Sequence, residues 1–142
     1  MRTRTFVSSI TLVMLGIAAL AFAQRGARRG GGNYNTATEV TFSGTVDEVL
    51  HMPAPGKGPG GLHLIVRSEA AAHDVHLGPM AYITSKHFEF AKGDAITVTG
   101  SQVSMGGKDV IIARDIKKGD QVLTLRDANG FPLWSGRGRR SS

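Results

Sequence analysis

From Glu39 onward the chain alternates between apolar and polar residues. Val40, Phe42, Gly44 and Val46 fall on one face, and Thr41, Ser43 and Thr45 fall on the other. A period of two predicts a half-buried strand running to about Leu50. Gly44 in mid-strand suggests a bend or bulge. Met52 to Gly61 is dense in proline and glycine and reads as a long loop. Leu62, Leu64 and Val66 then alternate with His63, Ile65 and Arg67, predicting a second strand. After a short link at Ser68–Ala71, His73, Val75 and Leu77 alternate with Asp74 and His76 in a third.

Gly78-Pro79 ends that strand, and Met80–His87 reads as a short helix with Tyr82 and Ile83 turned inward. Ala95–Val103 predicts a fourth strand with Ile96 and Val98 inward. Met105-Gly106-Gly107-Lys108 is a hairpin turn. Val110-Ile111-Ile112-Ala113 is apolar on both faces, as expected of a central or barrel-closing strand. Val122–Arg126 is a sixth short strand, and Phe131–Trp134 is placed to plug one end of the domain. The predicted class is all-β: a small OB-like barrel of five to six strands, with one short helix between strands 3 and 4.

The flanks read differently. Arg2 and Arg4 precede an uncharged apolar run, Ile10–Phe22, which ends in Ala21-Phe22-Ala23. This is the pattern of a cleavable signal peptide over residues 1–23, leaving Gln24 first. The apolar run is shorter than the roughly 20 residues that span a bilayer. The expected location is therefore periplasmic or secreted, with no membrane span after cleavage. Residues 24–38 are rich in Gly, Arg and Asn and predict a flexible arm. Residues 39–136 form the predicted barrel domain, and 137–142 a disordered basic tail. The chain has no cysteine, which excludes disulfides, thiolate metal sites, cysteine nucleophiles and a lipid anchor on cysteine.

The formal net charge is +6. Its distribution changes the reading. Between Asn33 and Gly136 nine basic residues face all eleven acidic ones, so the basic character lies at the ends. Arg25, Arg28, Arg29, Arg137, Arg139 and Arg140 could contact a polyanion, for an exported protein an envelope polymer or anionic lipid. The outer face of strands 2 and 3 has no aromatic platform and is nearly charge-balanced, which disfavours nucleic acid.

His76-Leu77-Gly78-Pro79, Tyr82-Ile83, Lys92-Gly93-Asp94, Val98-Thr99-Gly100-Ser101, Ile112-Ala113-Arg114, Leu123–Asp127, Gly130 and Pro132–Gly136 carry a resemblance. Over Glu39 to Gly136 the chain resembles small exported bacterial OB-like domains, of the kind shared by the magnetosome proteins MamS and MamX. The matching positions are mostly turns and core, so the resemblance is specific for fold and weak for activity. The expected role is an exported binding or accessory module whose partner is an envelope protein or an anionic polymer. Proteins of the MamX type can carry haem-binding CxxCH motifs. With no cysteine here, that redox role does not carry over.

Chemistry rests on five histidines: His51, His63, His73, His76 and His87. His73 and His76, three apart on a strand, face opposite sides and cannot chelate one ion. If Leu64 faces Val75 across the hairpin, however, His63 lies opposite His76 on the outer face, with Asp74 opposite Ile65. Cβ atoms so paired stand about 4.5–5.5 Å apart, which suits two imidazoles on one ion. His51, with Met52, at the end of the first strand is a candidate further ligand. Imidazole alone suits zinc or copper, and imidazole with thioether favours copper. No nucleophile elbow, HExxH or P-loop is present, and Asp47 and Glu48 face opposite ways, so no enzyme is predicted.

Overall fold

The computed structural model describes residues 33–54, 56 and 60–135. The predicted signal peptide, most of the predicted arm, the predicted basic tail and the six arginines named above lie outside the described residues. The strands are β1 (Glu39–Met52), β2 (Gly61–Arg67), β3 (Ala72–Pro79), β4 (Ala95–Met105), β5 (Lys108–Lys118) and β6 (Gln121–Thr124), with α1 (Met80–Ser85) between β3 and β4. Their order is β3-β2-β1-β4-β5-β6, and a parallel pairing of β3 with β5 closes the first five into a barrel. This is the predicted OB-like fold with its extra strand. Among the described residues no helix is long and apolar enough to cross a membrane.

β1 serves two partners. Glu39–Thr45 pairs with β4, and Thr45–Met52 pairs with β2. Gly44 stands at the changeover. A Cβ there would lie 2.5 Å from the Arg67 carbonyl oxygen, so only glycine lets the end of β2 approach this closely. The bulge expected at Gly44 falls instead at Asp47, between Val46↔Val66 and Glu48↔Ile65. Gly100 repeats the device on β4, where a Cβ would meet the Ile112 carbonyl oxygen at 2.3 Å, beside the β4–β5 bulge.

The alternating residues fill the interior. Val46, Leu64, Val66, Val75, Leu77, Val98, Ile116, Leu123 and Leu125 are wholly buried, and Ile83 and Phe88 cap them from α1 and the segment after it. Val110–Ala113 is buried throughout: Ile111 and Ala113 join the core cluster, and β4 and β3 pair with the two edges of the strand. Trp134 covers part of the core with its ring over Gly78 and against Tyr82, while Phe131 and Leu133 remain exposed. The end of the barrel is thus covered by Trp134 alone of that segment.

The folded part begins before Glu39. Tyr34 is fully buried, and a 3-10 turn at Thr36–Thr38 follows it. The Tyr34 hydroxyl donates to Glu39 Oε2 at 2.7 Å, and Glu39 also pairs with Arg114 at 2.8 Å. Burial and this bond to a carboxylate push the Tyr34 hydroxyl pKa upward. The Asn35 amide donates to buried Ser101 Oγ at 3.0 Å, and Thr38 Oγ1 meets the same oxygen at 2.9 Å. One buried aromatic and a shared serine hold residues 34–38 to β4 and β5, against the expectation of an arm extending to Thr38.

α1 is shorter than predicted because it ends in a left-handed cap. His87 has φ 55°, its amide bonds the Thr84 carbonyl, and the Phe88 amide bonds the Ile83 carbonyl. That pair of bonds is a Schellman motif, whose left-handed position usually holds glycine. His87→Gly should therefore raise stability by about 1 kcal/mol, read as a higher urea midpoint. A lower midpoint would mean that the His87 side chain contributes more than its backbone costs.

Candidate metal centre

Across the β2–β3 hairpin Leu64 faces Val75, Ile65 faces Asp74, and His63 faces His76. This register follows from burying Leu64 and Val75 together, since a slip by one residue would turn the apolar set outward. The two imidazoles stack, with centroids 3.6 Å apart and planes 19° from parallel. Asp74 stands two residues before His76 on the same face. Its Oδ1 lies 3.3 Å from His76 Nε2 and 3.8 Å from His63 Nδ1. Its Oδ2 accepts a hydrogen bond from Lys108 Nζ at 2.9 Å.

All three side chains are largely covered: His63 is 20%, His76 23% and Asp74 15% exposed. Asp74 Oδ1 itself is buried and makes no well-formed hydrogen bond, although both histidine nitrogens are near. A buried, under-satisfied carboxylate oxygen is costly unless something else meets it.

The electrostatics favour ligand-ready imidazoles. Burial pushes the His63 pKa down, and the neighbouring His76 pushes it further, against the pull of Asp74. Burial also lowers His76, opposed by Asp74 and assisted by Lys108. The neutral rings that result are the form that binds metal. They also set a pH dependence. The unfolded chain takes up these protons near 6.5, above the folded values, so protonation favours unfolding. Stability from these two groups is present above that pH and is lost as the pH falls below it. The metal-free protein should lose more urea resistance between about pH 7.5 and pH 5 than its His63→Ala/His76→Ala variant. Equal slopes would contradict the shifts.

Three ligand atoms, one each from His63, Asp74 and His76, lie within 4.8 Å of one another. Ligands about 2.0–2.1 Å from a tetrahedral ion stand roughly 3.3 Å apart, so Asp74 Oδ1 and His76 Nε2 at 3.3 Å already have that spacing, whereas Asp74 Oδ1 and His63 Nδ1 at 3.8 Å must close to reach it.

His51 does not join them. It pairs across β1–β2 with Leu62, whereas His63 pairs with Leu50, so His51 belongs to the other face of the ribbon. Met52 lies opposite Gly61 and is exposed. His73 turns away, as expected, with its ring against Phe42 and Nε2 3.1 Å from Ser68 Oγ. Asp74 is the candidate ligand that the histidine pattern passes over. Its signal is the spacing Asp-x-His on a strand, which places both side chains on one face.

Residues 38–123 match the MamS/MamX magnetosome protein family. The chain belongs to this family. No curated protein matches it. The family match spans β1 to β5 and takes in His63, Asp74, His76 and Lys108.

Proposed function

We propose that this member of the MamS/MamX family is an exported, non-catalytic binding module, and that the ligand of its barrel is a copper or zinc ion held by His63, Asp74 and His76. The observation that carries the reading is Asp74 Oδ1: buried, without a proper hydrogen bond, and facing two imidazole nitrogens at 3.3 and 3.8 Å. A cation between the three would satisfy that oxygen and both nitrogens together. A set of two nitrogens and one oxygen suits zinc and copper(II) better than calcium or magnesium, which prefer all-oxygen shells. Copper should bind more tightly than zinc, following the general order for such ligands. Export is supported by the leader-like pattern of residues 1–23.

The test is calorimetric titration of Cu(II) and Zn(II) into the purified full chain, beside His63→Ala/His76→Ala and His51→Ala variants. Stoichiometric binding at about micromolar or tighter, lost in the double variant and kept in His51→Ala, supports the reading. No binding, or equal binding in all three proteins, removes it.

A further inference from the structure

Resting on that metal reading, we propose that Lys108 makes the metal-loaded site a receptor for a small anion, a carboxylate or an oxyanion.

Lys108 opens β5 at the end of the β4–β5 hairpin. β5 runs parallel to β3, with Val75 beside Ile111 and His76 beside Ile112, so the start of β5 stands beside the start of β3. Barrel closure thereby delivers an ammonium to Asp74 Oδ2, at 2.9 Å. The side chain is 67% exposed. An ion pair this exposed contributes little to stability. Its consequence for the site is larger.

Without metal, the Asp74 carboxylate and the Lys108 ammonium cancel, and the two imidazoles are neutral. A divalent ion on Asp74 Oδ1 and the two histidines adds two positive charges, and Asp74, already paired with Lys108, is the acidic neighbour of both histidines among the described residues. Three protein ligands also leave a tetrahedral ion one open position. All three rise from the outer surface of β2 and β3, so that position faces away from the core. An anion there completes the coordination and reduces the excess charge. Lys108 has two N–H donors beyond the one given to Asp74, and can bond a second oxygen of the same anion. A residue that repels the bare ion thus attracts the ion with its anion.

The probe is azide, which gives a charge-transfer absorption when it binds copper(II). The full chain loaded with Cu(II) in perchlorate is titrated with azide, beside Lys108→Met. A saturable band is expected, with azide affinity about five- to tenfold weaker in Lys108→Met. Copper affinity without azide should be equal or higher in Lys108→Met, because a neighbouring positive charge has gone. Acetate or phosphate should displace azide, and the stronger competitor tells whether carboxylate or oxyanion is preferred. Displacement by neither overturns the proposal. Copper binding without an azide band, or with equal azide affinity in both proteins, overturns it while leaving the metal reading intact. A fall in copper affinity with unchanged azide affinity also overturns it, and makes Lys108 a group that positions Asp74. Absence of copper binding removes both readings together.

Discussion

Saturating zinc should raise the thermal unfolding midpoint of the full chain by about 10 °C or more, and His63→Ala/His76→Ala should abolish the rise. The magnitude follows from mass action. An ion that binds only the folded state stabilises it by about 2.7 kcal/mol at a hundredfold excess over its Kd. In a domain of roughly this size each kcal/mol shifts the midpoint by about 4–8 °C. The candidate ligands come from two paired strands, His63 on β2 and Asp74 and His76 on β3, so the unfolded chain does not hold them together. A chelator should return the midpoint to its starting value. Asp74→Asn keeps the side-chain shape and removes the charge, and should retain only a fraction of the rise. A shift of equal size in the double variant would mean that zinc binds elsewhere, and the assignment to this hairpin would be lost.

How far this site was legible depends on the element concerned. The pairing of His63 with His76 follows from local apolar alternation in two adjacent strands, because burying Leu64 and Val75 leaves one register. Asp74 was legible by the same logic, since the alternation already put it on the outer face with His76. What the spacing hides is that a carboxylate reaches diagonally across to His63, whose directly opposite neighbour is His76. Lys108 lies beyond that logic. It meets Asp74 only through the parallel β3–β5 pair, and a long-range closure leaves no periodic trace in either segment. His51 fails for a definable reason too. The paired residues Leu50↔His63 and His51↔Leu62 give neighbouring positions to opposite faces, and the bulge at Asp47 intervenes in any count of faces along β1.

Tyr34→Ala should cost about 3–5 kcal/mol of stability, as expected for removing a fully buried aromatic ring. Composition argues against this. Tyr34 sits in a stretch of glycine, arginine and asparagine that has too little apolar surface to repay its ordering. An average over the segment conceals a single anchor. The ring is wholly buried under the Arg126 guanidinium, 5.5 Å from its centroid, and the hydroxyl ends on Glu39. Glu39 in turn holds Arg114 of β5, which also bonds Asp115. Loss of the ring leaves a cavity and frees the shared contacts of Asn35 and Thr38 with Ser101. Tyr34→Phe separates the two contributions. It keeps the packing and gives up one hydrogen bond, for about 1 kcal/mol, because Glu39 remains paired with Arg114. Urea denaturation of both variants measures the difference. If Tyr34→Ala falls within about 0.5 kcal/mol of the parent, residues 34–38 contribute nothing to the barrel and the domain starts at Glu39. A loss of the expected size, with Tyr34→Phe near the parent, assigns the stability to the buried ring and moves the start of the cooperative unit upstream of β1.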